Sequence, residues 1–362
     1  MKTGFTLLIF IIFCLVCNCA YSQENPAIRD SIHEPWTTDS LAGNGFDFFA
    51  SEDMLQMTLT FNVDELLKTK SDPEYMEATL TVKINETDSL SQHIKVKARG
   101  IMRRNYCSFP PIMLKFTHKD NESEPIQSNG NLKLVTQCIQ SSAFESYIFK
   151  EYLAYRLYNL VTPYSFRTRL VRINYVDINK PKVSYTAYGF LIENADKMAE
   201  RNNAVIIDNP NVTQNQMNSL DMARVAVFNY MIGNTDWSVT MQHNIKILTS
   251  LSVLSGKGIP VAYDFDYSGF VNTVYSAPSH DLPIESVTER YYKGICYDDE
   301  ELNPVIDEFG GLKDKFLNTI HDFEFLSTTD KKQEESYINS FYKRFSYQNI
   351  LINDLNRTCS RL

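Results

Sequence analysis

The chain has no long apolar run after its first residues. Its opening, "MKTGFTLLIFIIFCLVC", is too short for a comfortable membrane span and is typical of a signal-peptide core. The following "AYS" gives a small-x-small pattern, so we predict a signal peptide over residues 1–22, cleaved near Ser22 and Gln23. The mature chain is then exported without a transmembrane span, and is periplasmic, at the cell surface or secreted. A lipid anchor at Cys19 is the alternative, although the residue before it, Asn18, is larger than such sites prefer.

Positive charge and glycine are also scarce. Lysine and arginine number 35 against 44 acidic residues, and the net charge of −9 argues against nucleic acid as a partner. Glycine occurs only 13 times, without a glycine-rich phosphate loop, and the G-x-S-x-G pattern of serine hydrolases does not occur. Aromatic residues reach 12%, which favours a substantial core, and the length of the chain suggests two lobes or domains.

Four cysteines remain after the predicted signal peptide: Cys107, Cys138, Cys296 and Cys359. An even number in an exported chain predicts disulfide bonds. Cys107 and Cys138 flank one β-rich region, so we expect them to pair, which leaves Cys296 and Cys359 for each other. Zinc is the rival ligand of these four cysteines, but no two of them form the C-x-x-C pair typical of zinc sites.

The order of alternating and helical stretches predicts an α+β fold with a β-rich N-lobe and a mainly helical C-lobe. Strands are expected at "LQMTLTFNV", "ATLTVKIN", "HIKVKARG", "PIMLKF", "LKLVTQ", "SFRTRLVRINYV" and "YTAYGFLIEN", and a long helix at "AFESYIFKEYLAYRLYNLV". We assign residues 23–75 to an N-terminal extension, 76–194 to the N-lobe and 195–362 to the C-lobe. A cleft between two such lobes is a natural ligand site.

A predicted hairpin gathers polar residues at one edge. The strands "IKIL" and "IPVAYDFD" would pair with Leu248 opposite Pro260, which places Asn244 opposite Asp264. A slip of two residues would bring Asp266 across instead. Carboxylate and amide oxygens suit Mg²⁺ or Mn²⁺, so the sequence predicts a metal site here. The alternative is an ordinary turn, in which Asp and Asn bond their own backbone.

Glu151 lies on the apolar stripe of the long helix, between Ile148 and Tyr155. A carboxylate on a buried face is costly unless it is paired. We predict that it pairs with Lys115 in the strand "PIMLKF" and holds that lysine toward a phosphate. The alternatives are that Glu151 reaches the rim or meets Lys133.

These stretches, taken in order, resemble the CotH (spore-coat protein H) kinase family, an atypical branch of the protein-kinase-like fold. The resemblance covers roughly residues 75 to 275 and is carried by "VKARGIMRRNYCSFPPIMLKF", "LKLVTQ", "YGFLIEN", "GNTDWSVTMQHN" and "VAYDFDYSG". It implies a two-lobed protein-kinase-like fold, with ATP and Mg²⁺ or Mn²⁺ as cofactors.

The resemblance also implies residue roles. Lys115 contacts the nucleotide phosphates and Glu151 orients it, while "LIEN" with Glu193 forms the hinge at the adenine. Asp236 is the acid that accepts the proton of the substrate hydroxyl. The metal ligands are Asn244 and Asp264, with Asp266 as a second candidate. The remaining cations, Arg99, Arg103 and Arg104, lie where a glycine-rich loop covers the phosphates in other kinases.

The chain departs from the kinase pattern in one spacing. Kinases commonly place the metal-binding Asn five residues after the catalytic Asp, whereas Asn244 follows Asp236 by eight. His243 is therefore a further candidate in this loop. We predict an exported, metal-dependent kinase that phosphorylates a hydroxyl of a protein or glycan. The alternatives are a non-catalytic binding or scaffold protein, and a metal-dependent hydrolase using Asp236, His243, Asp264 and Asp266.

Overall fold

A computed structural model describes residues 46–116, 126, 130–182, 184–209, 211–252, 256–345 and 348–360. The predicted signal peptide and its cleavage site lie outside these residues. All of the described residues belong to one compact unit, Thr38–Leu362. Within the described part of the chain, no helix has both the length and the apolar composition needed to cross a membrane.

Seven strands close into a barrel in the N-terminal part. They are β1 (Leu55–Phe61), β2 (Met76–Lys83), β3 (Ser89–Ala98), β4 (Ile112–Phe116), β5 (Leu132–Thr136), β6 (Thr168–Asp177) and β7 (Ser184–Ile192). Their order around the barrel is β1-β2-β3-β4-β5-β7-β6, and a parallel pairing of β1 with β6 closes it. Apolar residues alternate inward along these strands, as period-two patterning requires.

The helices are α1 (Val63–Lys68), α2 (Met102–Tyr106), α3 (Ser142–Val161), α4 (Ala195–Arg201), α5 (Ser219–Met231), α6 (Asp299–His321), α7 (Thr328–Phe345) and α8 (Gln348–Thr358). A small sheet of β8 (Ala204–Ile207), β9 (Ile245–Ser250) and β10 (Ile259–Ala262) has the order β10-β9-β8. The side chains of Ser141 and Asn218 cap α3 and α5 by accepting from backbone N–H groups. Gly233, with φ 65°, turns the chain after α5.

Two apolar cores fill these elements. One lies inside the barrel and includes Phe61, Leu80 and Leu114. The other lies between α3, the small sheet and the C-terminal helices, and its members include Tyr155 and Phe265. Helix α3 therefore lies at the boundary, where its buried face supports residues that follow β10.

The α+β class and the seven predicted strands of the N-terminal part are confirmed. The architecture differs in that the strands form a closed barrel rather than the sheet of a clearly two-lobed fold. The boundary at residue 75 is wrong, because β1 lies within the predicted extension 23–75 and pairs with β2 on one side and β6 on the other.

Both predicted disulfide bonds are present. Cys107 bonds Cys138 across a separation of 31 residues, and Cys296 bonds Cys359 across 63 residues. The first bond fastens the end of α2 to the segment that follows β5. Disulfide bonds are typical of proteins in oxidising compartments, which agrees with the predicted export.

Candidate active site

Three carboxylates converge beside α3. One oxygen from each of Glu151, Asp264 and Asp266 lies within 4.8 Å of the others, a separation short enough for all three to hold one metal ion. We call this set the acidic triad. The Glu151 side chain is fully buried, and its Oε1 has no hydrogen-bond partner. A buried carboxylate oxygen without a partner is unfavourable, so it indicates a cation-binding position.

Helix α3 supplies Glu151 and also fixes the backbone of Asp264. The Asp264 N–H donates to the phenol oxygen of Tyr155 at 2.8 Å, and the Ala262 N–H donates to that of Tyr158 at 3.3 Å. Tyr155 follows Glu151 by one helical turn, so both lie on the same face of α3. Asp264 itself adopts φ 64°, which Asp tolerates better than most residues and which turns its side chain out of the strand pattern.

A buried arginine reaches the triad from α2. The guanidinium of Arg103 donates from Nη2 to Glu151 Oε2 at 2.5 Å, and its Nε lies 3.0 Å from Asp266 Oδ2. Tyr275 completes this network, because its hydroxyl accepts from Arg103 Nε at 2.9 Å and donates to Asp266 Oδ2 at 3.1 Å. The predicted pairing of Glu151 with Lys115 is therefore wrong, since Arg103 is its ion-pair partner.

The triad carries more negative charge than Arg103 neutralises. Burial raises the pKa of Glu151 to about 8, although Arg103 lowers it. Burial likewise raises the pKa of Asp266 to about 6, against the opposing effect of Arg103, and the charge of Asp264 adds to the rise of both. A further cation at the triad would therefore favour the ionised form of both carboxyls.

The segment 234–244, which we call the Asp loop, folds back on itself. Ser238 and His243 form an antiparallel bridge, which returns His243 and Asn244 to Asp236. The His243 ring lies 2.9 Å from Asp236 Oδ1 through Nε2, and the Asn244 side-chain amide donates to Asp236 Oδ2 at 3.0 Å. This small hairpin accounts for the eight-residue spacing between Asp236 and Asn244. The amide oxygen of Asn244 is not used in that contact and is the atom that a metal would require.

A lysine from outside the loop fixes its backbone. The ammonium of Lys293 donates to the carbonyl oxygens of Thr235 and Trp237 at 2.7 and 2.8 Å. Burial lowers the pKa of Lys293, and the charge of Asp236 acts against that change. The loop is therefore held on both sides of Asp236.

The predicted register of the hairpin is wrong by one residue. Ile259 lies opposite Leu248, and the N–H of Tyr263 donates to the carbonyl oxygen of Asn244 at 3.0 Å. Every residue of β10 is buried, so the strand has no polar face that could fix its register by alternation. Asp264 still follows the residue bonded to Asn244, and the two acquire their orientation from left-handed backbone conformations.

Lys133, which was expected only as an alternative partner of Glu151, lies close enough to Asp264 for its charge to be felt. The ammonium of Lys133, on β5, lies 4.6 Å from the centre of the ring of Tyr263, the residue that precedes Asp264. Burial, together with the charges of Arg99 and Lys246, lowers its pKa to about 8, while Asp264 acts in the opposite direction. The charge of Arg99 acts on Lys133, and the role of Arg99 as a phosphate-binding cation stays a prediction.

Two other predicted residues lie in different surroundings. Lys115 is paired with Lys95 across β3 and β4, and its ammonium lies over the ring of Tyr75 at 5.0 Å. The buried carboxylate of Glu193 accepts hydrogen bonds from the side chains of Arg167 and Arg201. The backbone N–H of Glu193 donates to the carbonyl oxygen of Arg167. The carbonyl oxygen of Glu193, rather than its side chain, is therefore the group that a hinge role would use.

Comparisons with known proteins do not assign this chain to a family. No family model matches the chain, and no curated protein matches it. One solved structure to which it is similar is described as a Helicobacter pylori proinflammatory kinase, CtkA, at 10% identity and a TM-score of 0.35. The match covers 69% of this chain and 91% of the other. A similarity at this level supports no conclusion about activity.

Proposed function

We propose that the protein transfers the γ-phosphoryl group of ATP to a hydroxyl group, with Mg²⁺ or Mn²⁺ held by the acidic triad. The observation that carries this proposal is the fully buried, unpartnered Oε1 of Glu151 within a cluster of three carboxylates. Hard oxygen ligands of this kind suit these two cations, and the donor set fits such an ion. Exported protein and glycan hydroxyls are the proposed acceptors.

The neighbouring residues suit the parts of a phosphoryl transfer. Bound ATP would supply the γ-phosphoryl group, and ADP would be the leaving group. Lys133 and Arg99 are proposed to neutralise phosphate charge, which is the main contribution of a protein to this reaction. Asp236 with His243 is proposed to orient the acceptor hydroxyl and take its proton. Asn244 holds Asp236 in place and is proposed to give its amide oxygen to the metal.

A transfer assay tests the proposal. The chain from residue 23 onward is incubated with γ-labelled ATP and Mn²⁺, and label is followed on the protein itself and in released phosphate. We expect incorporation or release that Asp264→Ala abolishes. Glu86→Ala, which removes a carboxylate on a side chain that is 95% exposed, is the matched control and should leave the rate unchanged. Equal rates for Asp264→Ala and the wild type would refute the proposal.

A second candidate, a non-catalytic binding protein, has one observation in its favour. The guanidinium of Arg103 already bridges Glu151 and Asp266, as a permanent cation could in a site that has lost its metal. Thermal-shift titration separates the two: a non-catalytic protein would show no stabilisation by Mn²⁺ and ATP. Membership in the CotH kinase family belongs to the first candidate and stays a prediction based on the order of its sequence motifs.

A further inference from the structure

Arg103 occupies one oxygen of each of two triad carboxylates. Its contacts are to Oε2 of Glu151 and Oδ2 of Asp266, which leaves Oε1 and Oδ1 of these residues for a metal. The side chain of Arg103 is about nine-tenths buried and is held further by the hydroxyl of Tyr275. Glu151 and Asp266 can then bind a metal through one oxygen each, but not through both.

The number of oxygens affects which metal is bound. Ca²⁺ takes six to eight oxygen ligands and often uses both oxygens of a carboxylate, whereas Mg²⁺ takes six at shorter distances. A site whose carboxylates are restricted to single oxygens therefore disfavours Ca²⁺. The restriction comes from Arg103, because its fork-shaped group keeps the second oxygen engaged.

The charge of Arg103 has a separate effect. Three ionised carboxylates carry three negative charges, and the guanidinium leaves two, which one divalent cation balances. Without Arg103, the same carboxylates would match a trivalent cation better than a divalent one.

We infer that Arg103 is a specificity-determining residue that makes the acidic triad select a small divalent cation over Ca²⁺ and over trivalent ions. This inference rests on the proposed metal site but not on any acceptor substrate. Arg103 acts on the metal through Glu151 and Asp266 and does not itself bind it.

Direct binding of Mn²⁺, Ca²⁺ and Tb³⁺ to the full chain tests the inference, by calorimetry for the first two and by luminescence for Tb³⁺. We expect the wild type to bind Mn²⁺ at least about tenfold more tightly than Ca²⁺. Arg103→Met should reduce that ratio and should improve Tb³⁺ binding relative to Mn²⁺ by about tenfold or more. Arg103→Lys retains the charge without the fork, so it should lose discrimination against Ca²⁺ but keep the wild-type preference against Tb³⁺. Arg172→Met, on an exposed position of β6, is the control that removes an equal charge elsewhere.

The outcomes separate this inference from the proposed function. If the wild type binds Mn²⁺ but both ion ratios are unchanged in Arg103→Met, the role of Arg103 is refuted and the metal site stands. If the wild type binds none of the three ions, both the metal site and the inference are refuted. Weaker Mn²⁺ binding in Arg103→Met with the same ratios would indicate a structural role only and would also contradict the inference.

Discussion

A buried ion pair between α3 and α7 makes the stability of the protein depend on pH. Lys150 Nζ lies 2.8 Å from Glu334 Oε1, and the two side chains are 9% and 6% exposed. Burial raises the pKa of Glu334 to about 7, although Lys150 lowers it. Lys150 precedes Glu151 in the chain, so this pair also holds the helix that supplies the triad. Replacing Glu334 by Gln removes the titrating group while keeping an oxygen that can accept from Lys150.

The direction of the effect follows from proton binding. The ordinary pKa of a glutamate side chain is 4.5, so between about pH 4.5 and pH 7 the folded state retains a proton on Glu334 that the unfolded state has released. The contribution of Glu334 to stability is therefore complete below about pH 4.5 and is lost as pH rises through 7. At about 1.4 kcal/mol per pKa unit, the loss across this range is about 3 kcal/mol.

Urea unfolding at a series of pH values measures this dependence. We expect the free energy of unfolding of the wild type to fall, relative to that of Glu334→Gln, by about 3 kcal/mol as pH rises from about 4.5 to about 7.5. Glu324→Gln, at an exposed carboxyl between α6 and α7, should follow the wild-type curve. Parallel curves for the wild type and Glu334→Gln would refute the argument that burial controls this carboxyl.

Three further predictions concern the site and its support. Replacing Cys107 and Cys138 together by Ser should lower the free energy of unfolding by about 3–4 kcal/mol, because the bond closes a loop of 31 residues. A change under about 1 kcal/mol in urea unfolding would contradict this prediction. Lys133→Met should weaken binding of a fluorescent ATP analogue by about tenfold or more, and Lys115→Met should weaken it less; the reverse order would restore Lys115 as the phosphate lysine. Mn²⁺ affinity should rise with pH up to about 8, because burial raises the pKa of Glu151 and protons compete with the metal. In calorimetric titrations Glu151→Gln should remove the part of this rise above about pH 6 and leave the part due to Asp266.

Local patterns predicted most of the secondary structure. Alternating apolar residues indicated the seven barrel strands, and the spacing around Ile148 and Tyr155 indicated both α3 and the buried face that carries Glu151. The disulfide bonds followed from their number and from the β-rich region between Cys107 and Cys138. These features depend on neighbours in the chain, or on a small set of possible pairings. β8 was missed because its four residues, "AVII", show no alternation of polar and apolar side chains.

The contacts within the site depended on features that sequence patterns do not contain. Closure of the barrel by the parallel pairing of β1 with β6 could not be predicted from the alternation of apolar residues. The same alternation is expected in an open sheet with one buried face. The register of β9 with β10 was equally undetermined, because every residue of β10 is buried and the strand has no polar face to fix its pairing.

The exchange of partners at Glu151 has a physical explanation. Lys115 was favoured because it is a cation in a strand of apolar residues, but alternate residues of β4 face outward, and Lys115 lies on that face against Tyr75. Arg103 lies in a short polar helix that resembles a solvated loop in sequence. The Cys107–Cys138 bond holds that helix next to β5. Arg103 therefore lies within contact distance of Glu151, whose buried charge requires a cation. A buried acid therefore predicts that a cation will be present, whereas the tertiary attachment of each candidate decides which one it is.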